Sequence, residues 1–406
     1  MKRRDFIRGS AASLIGGALL PGLSYSQRQA GAGSQIRPTW LSFGVNGPAL
    51  GSTRFPLTMA MTNAKASGFQ LDVSKAIGQQ LKATGDVVDF NDSVDINTGV
   101  MLGAVLDYEN VLAARLGSAS FIVLHLVGHG VLMNFDRTRG WKMLSSFPFP
   151  VTLLREFRGG DTQAEASKYL FEAYVDRQNS FATSFAKTAK RLAPQWKESD
   201  RGFNVRIMSS AIHPEVAQKL DAWGIGKTVN EVWLGHLASA AACEGLGIPI
   251  VPYGENQALG KFTYKFTERL VAQNVQLPEE ADIDIRLHIV LRNIVRDVKF
   301  RTQYKRWEVV RAVVMDVKVL DDQNREIVAL RMGYQDDQPD SLAREEDLVP
   351  ARDAHFFDMA IYRGLQTLFL AIDKQDKALL AKVFVKPDAD QQGRIDRFRS
   401  QYQRAI

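Results

Sequence analysis

The sequence predicts an α+β fold in which antiparallel sheets, built from long hairpins, are packed by helices in two similar units. Three observations predict it. Ile283, Ile285, Leu287, Ile289 and Leu291 alternate with Asp282, Asp284, Arg286, His288 and Arg292; such period-two alternation marks a strand with one buried and one wet face. Residues 121–135 form a long apolar run, and 141–157 follows across a short turn as its hairpin partner. Between these runs, apolar residues recur three or four apart, the spacing of a helix with one buried side.

The chain divides into an export signal over 1–26, a flexible leader over 27–38, a first α+β unit over 39–200 and a second over 201–406. In the first unit, 40–45 reads as a strand. A helix is expected over 73–81, capped by Asp72, with Val73, Ile77 and Leu81 on one face and Gly85 ending it. Residues 87–90 read as a short strand. In the hairpin partner over 141–157, Pro148 and Pro150 cannot donate ladder hydrogen bonds, which implies an edge or broken strand. The stretch 164–192 reads as one helix carrying Leu170, Tyr174, Phe181, Phe185, Ala189 and Leu192, closed by Pro194.

In the second unit, 204–211 is an expected strand, and Pro214 opens a helix at a position where its missing N–H costs nothing. Gly224 and Gly226 break that helix. Thr228 is the expected cap of the next, with Glu231 completing a capping box and Val232, Trp233, His236, Leu237, Ala240 and Ala241 on the apolar face. Gly245 and Gly247 stop it before a short strand over 248–251. After the alternating strand, Trp307, Val309, Val313, Met315, Val317 and Val319 repeat the pattern, with Arg311 as the exception. A turn over 321–325 leads to a returning strand over 327–334. An acidic loop over 336–347, a helix over 356–372 and a short tail helix bearing Ile395, Phe398 and Tyr402 complete the unit.

Composition bounds the function classes. Apolar content of 45% and charged content of 24% are those of an ordinary globular protein. The formal charge of +6 is concentrated at the start, where Lys2, Arg3, Arg4 and Arg8 face only Asp5. Without the signal, roughly 380 residues remain with a charge near +3, which argues against nucleic acid as a partner. The single cysteine, Cys243, excludes an internal disulfide and a cysteine-based metal cluster, and its apolar setting implies burial. After the signal no apolar run is long enough to span a bilayer, so a soluble or peripherally attached protein is expected.

The first twenty-six residues combine a basic start, a mild apolar middle over 11–20 and small residues Ser24 and Ser26 at a plausible cut. Arg3, Arg4, Phe6, Ile7 and Arg8 resemble a twin-arginine (Tat) signal, with Lys2 where a Ser or Thr is more usual. That resemblance covers the signal only, and no family is identified for the mature chain. It implies a periplasmic protein exported already folded. The order of elements also resembles periplasmic assembly modules such as those of curli-secretion lipoproteins and the amino-terminal domain of TolB, an analogy of fold that does not settle function.

Candidate sites are few. Lys299-Phe300-Arg301-Thr302-Gln303-Tyr304-Lys305-Arg306-Trp307 mixes four cations and three aromatics between two long strands. Arg301, Tyr304, Lys305, Arg306 and Trp307 are the binding residues expected there, with guanidinium forks for phosphate or carboxylate and rings for sugar or headgroup. His125 and His129 lie in a strand-like run, where four residues span ~13 Å, so one metal cannot take both. They are expected on the less buried face of a sheet, and no metal site is predicted. Asp89, Asn91, Ser93 and Asp95 have calcium-loop spacing, but Val94 and Val100 stand where Gly and Glu are required. The carboxylate pairs Asp107/Glu109 and Asp282/Asp284 read as solvent faces of strands. Arg394, Arg397, Arg399 and Arg404 flank the apolar stripe of the tail, which is expected to dock on its own domain in preference to a membrane.

Nucleophile elbows and phosphate loops are absent; Gly224-Ile225-Gly226-Lys227-Thr228 only mimics the end of one. The expectation is an exported periplasmic protein that binds an envelope component or protein partner, or assists envelope assembly. The alternative is an exported enzyme, cofactor-dependent or hydrolytic, whose site forms only in the fold. No cofactor is predicted, and catalytic residues are unknown.

Overall fold

The computed structural model describes residues 36–46, 55–64, 68–85, 87–90, 99–116, 119–136, 140–158, 162–176, 178–196, 203–254, 261–266, 272–335, 340–342, 348–383 and 385–403. The signal, with Arg3, Arg4 and Phe6, most of the leader, positions 91–98 of the calcium-spaced run and most of the acidic loop lie outside them. Residues 34–406 form one compact unit.

Two sheets organise the chain, and it is α+β as expected. In the first, β1 (Thr39–Asn46) runs parallel to β2 (Val100–Leu116), which continues antiparallel into β3 (Ala119–Asp136) and β4 (Gly140–Arg158). In the second, β5 (Val205–Ile212) runs parallel to β8 (Ile285–Arg301), which continues antiparallel into β9 (Arg306–Asp321) and β10 (Glu326–Gln335). The first crossover carries α1 (Pro56–Ala64) and α2 (Gly68–Thr84); the second carries α5 (Pro214–Ala222) and α6 (Glu231–Leu246). Helices follow each meander: α3 (Thr162–Val175) and α4 (Phe181–Leu192) after the first, α7 (Pro350–Lys374), α8 (Lys377–Lys382) and α9 (Ala389–Gln403) after the second. The two units therefore share one topology.

The likeness extends to an irregularity. β2 and β8 are each 17 residues long, and in each the register against the next strand slips at the eighth residue, Asp107 in β2 and Arg292 in β8. A bulge bends a strand and re-aims one side chain. Two further strands, β6 (Lys261–Phe266) and β7 (Ala272–Gln276), come from the second half of the chain but join the first sheet, closing it as a barrel between β1 and β4. A short β11 (Asp340–Leu342) pairs with β9.

β4 answers the proline expectation. It pairs with β3 along its length but with β7 only at Trp141 and Lys142, so no described strand pairs with its other edge at Pro148 and Pro150. On β3, one face receives aromatic rings: a Cβ at Gly128 would lie 2.2 Å from Phe149 Cζ, and one at Gly130 would lie 1.9 Å from Phe147 Cζ. Only glycine admits those rings. The opposite face of β3 carries His125 and His129 and meets helices.

Several local expectations are corrected. The helix expected over 73–81 is α2, beginning at Gly68, so Asp72 lies inside it instead of capping it; Gly85 does follow it, with φ of 113°. The single helix over 164–192 is two, α3 and α4, because Asn179 takes φ of 56° and the Ser180 hydroxyl caps α4 by accepting from Thr183 N. The cap of α6 is Asn230, whose Oδ1 accepts from Trp233 N at 2.9 Å; Glu231 accepts instead from Ile212 N. Residues 87–90 and 248–251 contribute only isolated bridges, Asp89 to Thr39 and Val251 to Arg206.

Packing sets up the polar interior. α6 is buried on nearly every side, from Trp233 to Leu246, and Gly247 ends it with φ of 68°. It packs against α7 and touches β4 and β5, while α7 touches β3, β4, β9 and β10. These two helices thus lie between the sheets. The tail helix α9 buries Ile395, Phe398 and Tyr402, and its Tyr402 hydroxyl and Arg399 Nε both bond to Asp373 on α7. The tail docks on its own domain.

Candidate functional site

The expected binding residues gather at the far end of the β8–β9 hairpin. Arg301 ends β8, Arg306 opens β9, and the turn between them holds Tyr304 by its N–H to Arg301 O at 3.1 Å. Arg301, Tyr304, Lys305 and Arg306 are exposed, while Trp307 is half-buried against Phe300, their rings 5.3 Å apart. Arg301, Tyr304, Arg306 and Glu308 line an open hollow of about 380 Å³. Arg301 pairs with Glu308, and Lys299 with Asp297. Four cations against these two carboxylates leave the tip cationic.

A second set of groups lies in the core, where β3 meets α6. Asp107 is the bulged residue of β2, and the bulge brings its carboxylate inward. Its Oδ1 accepts from Asn46 Nδ2 on β1. Its Oδ2 lies 3.1 Å from His129 Nε2 on β3 and 3.7 Å from His236 Nδ1 on α6. All three side chains are 0–2% exposed. Their ligand atoms lie within 4.8 Å of one another, making them a group that could hold a metal ion. Tyr108 and Tyr253 pack against the His236 ring, with centroids at 5.3 and 5.5 Å.

His125 has different partners. Its ring stacks on the Trp233 indole at 4.5 Å and 2°, and its Nε2 lies 2.6 Å from Asp358 Oδ2 on α7. Trp233 Nε1 donates to the other oxygen of Asp358 at 2.8 Å. One turn before Asp358, burial pushes the His355 imidazole down to about 4 from its ordinary 6.5; Asp358 opposes that shift, while His125, Arg363 and Arg311 add to it. Folding therefore holds His355 neutral at pH values where the unfolded chain would protonate it. Stability is expected to fall as pH drops from 6.5 to about 4, by up to ~3 kcal/mol, and to stop falling from this cause below that. Urea unfolding across this range checks it: His355→Gln should flatten the slope, and an unchanged slope would remove His355 as its source.

The sheet histidines and the first carboxylate pair correct the sequence reading. His125 and His129 are fully buried rather than on a wetter face, because that face of β3 is covered by α6 and α7. The shift that accommodates them is in β2 at Asp107; β3 and β4 stay in register through Gly128. Asp107 and Glu109 are 2% and 7% exposed and face no solvent. Glu109 accepts from Leu57 N, Thr58 N and the Thr58 hydroxyl at the start of α1, the place where a helix dipole favours an anion. Burial nevertheless raises its pKa, the three hydrogen bonds opposing that rise. Arg311, the exception in the β9 pattern, is buried against Asp353 of α7 at 2.8 Å, and Arg296 reaches the other oxygen of Asp353 at 2.5 Å. Cys243 is buried, which pushes its thiol up to about 12.

Sequence reasoning thus pointed to the tip and not to the convergence of Asp107, His129 and His236. A signal did exist: each is a titratable residue inside an otherwise apolar segment, and a buried titratable group requires a partner. The partners lie 22 and 129 positions from Asp107 along the chain, a relation spacing does not reveal.

No family model matches the chain, and no curated protein matches it. Among solved structures, it is similar to the crystal structure at 2.35 Å of a minor lipoprotein from Acinetobacter baumannii. The identity is 14%, over 40% of this chain and 98% of that one, with a TM-score of 0.21.

Proposed function

We propose that this chain is an exported periplasmic protein that binds an anionic envelope component through the β8–β9 tip. One observation carries the reading. Val295, Phe300 and Tyr304, the large hydrophobics exposed among the described residues, all belong to this one hairpin, at 45%, 48% and 65% exposure. Of these, Phe300 and Tyr304 lie at the tip itself, and apolar exposure rimmed by charge marks an interaction surface. The cations beside it suit phosphate or carboxylate, and the rings suit sugar or headgroup. A rigid hairpin positions both.

The test is retention on anionic phospholipid vesicles and on isolated envelope fragments. Arg301→Ala with Arg306→Ala, and separately Tyr304→Ala, should each weaken binding about tenfold or more, ~1.4 kcal/mol. Because these side chains are exposed, stability should change by no more than about 0.5 kcal/mol. Binding that survives both changes in a folded protein would remove the tip from the proposal.

Export by the twin-arginine route is the second part of the proposal, supported by the spacing of Arg3, Arg4 and Phe6. Arg3→Lys with Arg4→Lys keeps the charge and removes the guanidinium pair. Cell fractionation should then find the precursor retained in the cytoplasm, whereas normal periplasmic accumulation would point to a general secretory signal.

No helix among the described residues is long and apolar enough to cross a membrane. The alternative reading, a cofactor-dependent or hydrolytic enzyme, draws on the convergence of Asp107, His129 and His236. These groups are too deeply buried, at 0–2% exposure, to meet a substrate from solvent without an opening of the core.

A further inference from the structure

We propose that Asp107, His129 and His236 form a buried three-donor site for one divalent first-row transition ion of zinc type, with the remaining coordination position taken by a non-protein ligand. The donor set is two imidazole nitrogens and one carboxylate oxygen, the borderline chemistry such ions take in proteins. The three side chains come from β2, β3 and α6, so an ion held by them would fasten the first sheet to the helix packed between the sheets.

Convergence of three donors distinguishes this group from the His125–Asp358 pair, which brings together only two. His129 Nε2 lies 3.1 Å from Asp107 Oδ2, yet neither ring nitrogen of His129 makes a hydrogen bond. The contact has the length of a hydrogen bond without its direction. Two donors that share an ion stand in this relation, close together but not bonded to each other. Bonds of about 2.0–2.1 Å to a tetrahedral or octahedral ion put neighbouring donors roughly 3.0–3.4 Å apart. The separation of 3.1 Å from Asp107 Oδ2 to His129 falls within that range, and the 3.7 Å to His236 lies just above it. Small rotations of the His236 ring would close the set.

The surroundings fit a metal as well. Asn46 Nδ2 donates to the other oxygen of Asp107, the kind of outer contact that orients a carboxylate ligand and leaves one oxygen for the ion. Tyr108 and Tyr253 pack around His236 and restrict its ring. His125 is outside the site. It lies on the same face of β3 four residues away, but contacts Asp358 of α7, as the rise of a strand requires.

The experiment is native mass spectrometry and elemental analysis of the full chain purified from a bacterial host. Removal of bound ion with chelator in mild urea, followed by titration with cobalt(II), completes it. One equivalent of ion is expected, together with visible cobalt bands that zinc abolishes by displacement. Thermal stability of the stripped wild-type protein should rise on adding zinc. Asp107→Asn, His129→Gln and His236→Gln should each weaken cobalt binding about 100-fold or more, while His125→Gln retains it. Absence of stoichiometric ion from the purified wild type, with no cobalt bands and no thermal shift after stripping, would overturn the proposal. That test uses no variant and so stands even where a substitution prevents folding. Full binding by a folded His129→Gln or His236→Gln protein would overturn it equally.

Discussion

Replacing Asp353 by alanine is expected to lower the free energy of unfolding by about 3–5 kcal/mol. Asp353 is 1% exposed and accepts from Arg311 Nε at 2.8 Å and Arg296 Nη1 at 2.5 Å. Arg311 itself is 2% exposed, at the centre of β9, with Phe356 stacked 4.8 Å from its guanidinium. Alanine would deprive a buried charge of its carboxylate, in a side chain that is 2% exposed. Arg296 suffers less, because it is 24% exposed. Breaking a buried pair is costly mainly through the orphaned partner, so removing both partners should be far milder. Arg311→Met combined with Asp353→Leu is therefore expected to recover most of the loss. Urea unfolding of the wild type, of Asp353→Ala, of Arg311→Met and Asp353→Leu singly, and of the double variant measures this. Strict additivity of the two changes would show that the pair is not coupled.

The second expected result concerns Trp233, the side chain that joins α6 to both β3 and α7. Trp233→Ala should cost about 3–5 kcal/mol, the range for deleting a fully buried large aromatic. Two separate contributions can be resolved. Packing is lost because the indole stacks on His125 at 4.5 Å and on Tyr108 at 5.2 Å. A hydrogen bond is lost because Nε1 donates to Asp358 Oδ1, and Asp358 is 1% exposed. Trp233→Phe keeps most of the stack and deletes only the donor, so it should cost about 1–3 kcal/mol. Equal losses for alanine and phenylalanine would assign the whole effect to the hydrogen bond. A loss under 1 kcal/mol for alanine would mean that this interface is not where the two elements are held together.

The residues that sequence reading placed well share one property: their role is decided by neighbours along the chain. Period-two alternation located β8, β9 and β10, because a strand with one wet face writes its burial into every second residue. The tip from Lys299 to Trp307 was legible for the same reason, since a hairpin end lies next to its own strands. The docking of Ile395, Phe398 and Tyr402 followed from helical spacing. What the sequence by itself determined was thus the class of fold, the long hairpins and the cationic aromatic tip.

Tertiary structure decided which polar residues are inside. Asp107 and Glu109 have the two-residue spacing of a solvent face, yet a one-residue bulge and the docking of α1 put both in the interior. His125 and His129 lie on one face of β3, and only the placement of α6 and α7 over it makes that face dry. Arg311 breaks the pattern of β9 because its partner, Asp353, belongs to a helix 42 positions later. Even the closure of the first sheet depends on β6 and β7 from the other half of the chain. The physical reason is common to all of these. Local pattern reports the propensity of a segment to bury one side, whereas the partner that neutralises a buried charge is chosen by packing between distant elements.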